Sequence, residues 1–105
     1  MAFTLDDIQK DIQHQMDRDW ADKSERDKLD ICFSGLGEET GEVLGLRKRQ
    51  LRNLPKDRVR STKDHFIEEL GDVLWYLVAV CNMLEISMSE LWMYNCLKLE
   101  ERYGE

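Results

Sequence analysis

Glu38-Glu39-Thr40-Gly41-Glu42-Val43-Leu44 and Glu68-Glu69-Leu70-Gly71-Asp72-Val73-Leu74 are two copies of one seven-residue box, thirty positions apart. Each gathers three carboxylates within about one helical turn, with a glycine beside them and an apolar pair behind. A helix turns by about 100° per residue, so with Glu38 at zero, Glu42 lies about 40° on and Glu39 about 100° on. Glu68, Asp72 and Glu69 repeat the same angles. Each box therefore aims its acids from one helical face, and two such helices packed together bring the two sets face to face.

The sequence around the boxes is helical throughout. Thr4 followed by Asp7 is a capping box, with Phe3 and Ile8 as a hydrophobic staple, and Ile8, Ile12, Met16 and Trp20 form the apolar stripe of a first helix. A second helix starts near Ser24 with Asp27 in the capping position. It runs through Leu29, Cys32, Phe33, Leu36, Val43, Leu44 and Leu51 and stops before Leu54-Pro55. After a basic connection, a third helix starts near Ser61 with Asp64 and carries Phe66, Ile67, Leu70, Val73, Leu74, Leu77, Val78, Cys81 and Leu84. A fourth starts at Ser87 with Glu90 and ends by Gly104. No stretch alternates apolar and polar residues as a half-buried strand does. The expectation is an all-α, four-helix fold in a single domain over residues 1–105.

Composition narrows the function. The chain has 105 residues and a formal net charge of -7, the wrong sign for a nucleic-acid backbone partner. Three cysteines, Cys32, Cys81 and Cys96, fall within helical patterns and lack metal-ligand spacing, so buried reduced thiols are expected. The acidic start of the chain lacks signal-peptide character and no apolar run is long enough to span a bilayer. A cytoplasmic protein with neither membrane nor nucleic acid as partner is expected.

Converging carboxylates demand compensation. Two like charges ~5 Å apart repel by about 3 kcal/mol at an effective dielectric of ~20, and a proton or a cation must relieve this. Oxygen ligands without histidine or cysteine suit Mg²⁺, with Mn²⁺ tolerated and Zn²⁺ disfavoured. The competing reading is an ordinary solvated acidic face. Against it stand the matched glycines, since a mid-helix glycine costs about 1 kcal/mol relative to alanine. Gly37, Gly41 and Gly45 line the edge of the acidic face, where they are expected to let another backbone approach closely or simply to serve helix packing.

Glu39-x-x-Glu42 followed by Glu69-x-x-Asp72, with Gly35-Leu36 before the first box and Val73-Leu74-Trp75-Tyr76-Leu77 at the second, resembles the MazG-like all-α nucleoside triphosphate pyrophosphohydrolases. Asn95-x-x-Lys98-Leu99-x-x-Arg102-Tyr103 is similar to that family's closing motif, and the resemblance runs from about residue 29 to 103. It implies hydrolysis of a nucleoside triphosphate between the α- and β-phosphates, giving a monophosphate and pyrophosphate with Mg²⁺, in a role such as nucleotide-pool cleaning. By motif position it makes Glu39, Glu42, Glu69 and Asp72 the metal ligands, with Glu38 holding a further ion or orienting the attacking water. The absence of any residue resembling a covalent nucleophile favours direct attack by water. The resemblance also implies a MazG-like bundle completed by oligomerisation, as a homodimer or homotetramer. A non-catalytic nucleotide- or metal-binding module and a phosphoribosyl-ATP pyrophosphatase-like enzyme stand as alternatives.

Asn95, Lys98 and Arg102 share one face of the fourth helix and suit phosphate oxygens, although cations near a helix C-terminus also complement its dipole. Arg47, Lys48, Arg49, Arg52, Lys56, Arg58, Arg60 and Lys63 hold over half of the chain's 15 lysines and arginines. They read as a solvated helix end and loop, with steering of an anionic substrate as a second role. Trp20, within Arg18-Asp19-Trp20, looks like a segment near the base in dCTP pyrophosphatases and is the candidate base contact. His14 reads as a surface residue, and Met83, Met88 and Met93 as fillers of apolar gaps.

Overall fold

A computed structural model describes residues 2–52 and 62–104. It contains four helices, α1 (Leu5–Asp19), α2 (Glu25–Arg52), α3 (Thr62–Met83) and α4 (Met88–Tyr103), and no strand among the described residues. The all-α expectation holds, and the capping signals are where the helices start. The Thr4 hydroxyl accepts from the Asp7 N–H while the Asp7 carboxylate accepts from the Thr4 N–H, both at 3.0 Å. The same reciprocal pair joins Ser87 and Glu90 at the start of α4. Ser24 accepts from the Asp27 N–H at 3.1 Å. Each such bond satisfies an N–H that has no partner within its own helix. Gly104 closes α4 in the left-handed conformation at φ 73°, where a glycine carries no Cβ penalty. The expected cap of α3 at Ser61 and the basic residues Lys56, Arg58 and Arg60 lie outside the described residues.

The core forms where α1, α2 and α3 meet. Ile12, Met16, Cys32, Val78, Ala79 and Val80 are buried together, with Ile8, Trp20, Leu36, Trp75, Met83 and Met88 packed around them. Two of the three thiols are buried, and burial pushes both Cys32 and Cys81 up from their ordinary range. Cys96 departs from the expectation, being exposed on α4. Met93, expected as a core filler, is also exposed.

α4 packs only on α1 and α3, buries none of its own residues, and leaves α3 at 92°. Leu91, Trp92, Met93, Tyr94, Leu97, Leu99 and Tyr103 therefore remain exposed. Phe33, Leu44 and Leu51 on α2 and Ile67, Leu70 and Leu74 on α3 are exposed too, although the apolar periodicity marks them as core positions. The apolar pattern thus exceeds what one chain buries. No single helix among the described residues is long and apolar enough to cross a membrane.

Candidate metal centre

α2 and α3 lie side by side and run antiparallel: Gly35 meets Tyr76, Glu39 meets Asp72, and Glu42 meets Glu69. This pairing brings the two acidic boxes together as their helical angles require. Glu39, Glu69 and Asp72 each present one carboxylate oxygen, and the three oxygens lie within 4.8 Å of one another. Glu42 lies near enough to add its charge to both Glu39 and Glu69, so all four acids form one cluster. Glu38 is exposed beside Glu39 and adds its charge to the site.

The electrostatics record the crowding. Burial, followed by the charges of Glu42, Asp72, Glu69 and Glu38, holds the Glu39 carboxyl above the usual carboxylate range. Burial, then the charge of Glu42, raises Glu69 likewise. Tyr76, one turn beyond Asp72, is raised by burial and then by Glu39 and Glu38. Glu39 Oε2 is buried without any hydrogen-bond partner. A buried anionic oxygen with no donor costs free energy unless a cation or proton serves it. No lysine or arginine is ion-paired to any of the four acids among the described residues. The donor set fits a hard divalent cation, because every available ligand atom is a carboxylate oxygen.

The close approach that builds this seam depends on a glycine outside the expected stripe. A Cβ on Gly35 would collide with the Tyr76 ring. Gly37, Gly41 and Gly71 face open space instead, and Gly45 meets only the side chain of Arg49 on its own helix. Within the chain, then, the stripe of Gly37, Gly41 and Gly45 does not bring the carboxylates together. The signal for Gly35 was its spacing: it lies one turn before Glu39 on the face that α3 covers.

Aromatic residues border the cluster. The Tyr76 ring meets Trp75 edge-on at 5.0 Å, and Trp75 meets Trp20 edge-on at 5.5 Å. Trp75 donates its indole N–H to Gln15 at 2.8 Å, tying α1 to α3. Trp20 is thereby linked through Trp75 and Tyr76 towards the acids.

The residues expected to hold phosphate lie elsewhere in the chain. Asn95 lines an apolar groove with Leu5, Leu77, Met88, Leu91 and Trp92. Lys98 and Arg102 are exposed farther along α4. Since α4 makes no contact with α2, one chain does not bring Asn95, Lys98 and Arg102 up against the α2 acids. His14 is exposed on α1, and Arg47, Lys48, Arg49 and Arg52 lie at the C-terminal end of α2.

Residues 30–105, which contain both acidic boxes and α4, match the model of the MazG nucleotide pyrophosphohydrolase domain. The chain is 34% identical over 74 residues to the Gene 37 protein of Mycobacterium phage L5, a match covering 70% of this chain and 65% of that protein's length. The chain belongs to the MazG nucleotide pyrophosphohydrolase domain family.

Proposed function

We propose that this MazG-family chain is a Mg²⁺-dependent nucleoside triphosphate pyrophosphohydrolase that cleaves between the α- and β-phosphates to release a monophosphate and pyrophosphate. The observation that carries the reading is the partnerless buried Oε2 of Glu39 within an antiparallel pair of acidic boxes. Glu39, Glu42, Glu69 and Asp72 would hold the ion from two helices that pack side by side. A divalent cation held there would supply Lewis acidity, offsetting charge on phosphoryl oxygens and making water easier to deprotonate.

The chain's own groups do the rest. Glu38, exposed at the edge of the cluster, accepts the proton of the attacking water. The crowding that raises Glu39 and Glu69 keeps the site poised to take up positive charge. Trp20 provides a face for the nucleobase at the end of the Trp20–Trp75–Tyr76 series. Asn95, Lys98 and Arg102 bind the outer phosphates.

This last assignment favours a second copy of the chain, because α4 makes no contact with α2 within its own subunit. The exposed apolar residues of α2, α3 and α4 supply the contact surface. The proposed particle is thus a homodimer or homotetramer whose site combines the acids of one chain with the α4 cations of another. Nucleotide-pool cleaning is the role that fits such chemistry.

A panel of canonical, deoxy and damaged nucleoside triphosphates, incubated with protein and Mg²⁺, tests the activity. Equal amounts of pyrophosphate and monophosphate from at least one nucleotide are expected. Nucleotide binding without pyrophosphate release from any of them overturns the enzymatic reading in favour of a binding module.

A further inference from the structure

The corner between α3 and α4 is held by one side chain from α1. Gln9 Nε2 donates to Asn82 Oδ1 at 3.0 Å and to the Ile86 carbonyl at 3.1 Å, while Gln9 Oε1 accepts from the Met88 N–H at 2.9 Å. Asn82 Nδ2 returns a bond to the Gln9 carbonyl at 3.0 Å. Both amide protons and the amide oxygen of Gln9 are thus engaged, by the end of α3, the turn and the start of α4. Only glutamine offers two donors and an acceptor at this reach. Glutamate lacks the donors at neutral pH, and asparagine is a methylene short.

The turn itself needs such a brace. Glu85 stands at φ 57°, a left-handed conformation that a side chain disfavours. It is closed by hydrogen bonds from Glu85 N–H to the Asn82 carbonyl and from Ile86 N–H to the Cys81 carbonyl. The Met88 N–H is one of the first-turn donors of α4 that no residue of α4 can satisfy. α4 has no fully buried residue, so apart from its packing on α1 and α3 and the seat of Met88 against the core, the Gln9 bonds are what fix its direction.

We propose that Gln9 is a positioning residue that sets the direction of α4, and with it the placement of Asn95, Lys98 and Arg102 against the acids of a second copy. This rests on the pyrophosphohydrolase reading for its kinetic consequence but not for its structural one. The ends of Gln9's reach are the last turn of α3 and the first of α4, so its loss leaves the acidic boxes, several turns away, undisturbed.

The test is Gln9→Met, which keeps the length and removes all three bonds, with Gln9→Glu as a second variant that keeps the acceptor for Met88 alone. In amide NMR of the intact protein, the resonances of α4 from Leu91 to Tyr103 are expected to shift together in both variants while those around Glu39 and Asp72 stay in place. Mn²⁺ affinity is expected to stay within about twofold of the parent, while KM for the nucleotide rises about tenfold with kcat changed less than about threefold, as for lost ground-state and transition-state binding alike. Shifts confined to residues 86–90 together with an unchanged KM overturn the proposal. If the parent releases no pyrophosphate from any nucleotide, the pyrophosphohydrolase reading fails, and the α4 resonances alone decide the role of Gln9.

Discussion

Gly35 packs so closely on the ring of Tyr76 that no side chain fits between them. The contact sits one turn from Glu39 on α2 and one turn from Asp72 on α3, so it sets the separation at which the carboxylates meet. Replacing Gly35 by alanine must move the ring or part the helices. Overpacking of this kind costs about 1–3 kcal/mol, and parting the helices weakens cation binding as well. Gly35→Ala is expected to lower the unfolding free energy by that amount in denaturant titration. The double variant Gly35→Ala/Tyr76→Ala is expected to fall short of the sum of the two single losses, because the second change removes the collision created by the first. Strict additivity would contradict the contact.

The acidic cluster gives a pH dependence of defined sign. Glu39 has its carboxyl raised above the ordinary value of 4.5 by burial first and neighbouring charge second. The folded chain therefore holds that proton more tightly than the unfolded one. The stability it contributes is fully present below the unfolded pKa and is lost as pH rises through the folded pKa. Glu39→Gln fixes the neutral form. Without divalent cation, the variant is expected to melt above the parent at neutral pH, and the gap to narrow as the pH falls towards 4.5 and below. Thermal melts of both proteins across that range check it; a gap that widens on acidification is the opposite sign. Mg²⁺ is expected to raise the parent's midpoint and leave the variant's nearly unchanged.

Glu85 adopts a left-handed conformation at the end of α3, where glycine is the favoured residue. Glu85→Gly is expected to be neutral or to stabilise the fold by up to ~1 kcal/mol, the relief of the left-handed cost being partly offset by the greater freedom of the unfolded chain. Equilibrium unfolding measures it. A loss above ~1 kcal/mol would mean that the Glu85 side chain itself supports the corner.

Trp92 is two-thirds exposed on α4, at 66%, which is unusual for so large an apolar side chain. Trp92→Glu is expected to dissociate the proposed homo-oligomer, moving the sedimentation coefficient to that of a single chain at micromolar concentration. Helicity should be retained, because no residue of α4 is fully buried and Trp92 lies outside the core cluster. Pyrophosphate release should fall at least ~10-fold, since the α4 cations then have no acidic box to face. A parent that already sediments as a monomer contradicts the shared site.

Much of this was legible in the sequence because local signals and long-range ones agreed. Thr4/Asp7 and Ser87/Glu90 started their helices as capping boxes, and the angular match of the two acidic boxes foretold the meeting of Glu39 with Glu69 and Asp72. What was illegible depended on which neighbour each residue finds. Gly35 and Gly41 look alike in a helical pattern, yet only the first has Tyr76 across from it. Phe33, Leu44 and Met93 carry a core signature but are exposed in the single chain, since apolar periodicity marks burial without saying in whose interior. The Gln9 clasp was hidden because a glutamine on a polar helix face carries no sign of a partner more than seventy residues away.

Binding of Mn²⁺, followed as loss of the free-ion paramagnetic signal, decides whether Glu39 and Asp72 belong to a cation site. The parent is expected to bind Mn²⁺ and release it to excess Mg²⁺, while Glu39→Gln and Asp72→Asn each weaken binding at least ~10-fold with the fold intact. Equal binding by the parent and both variants would contradict that assignment.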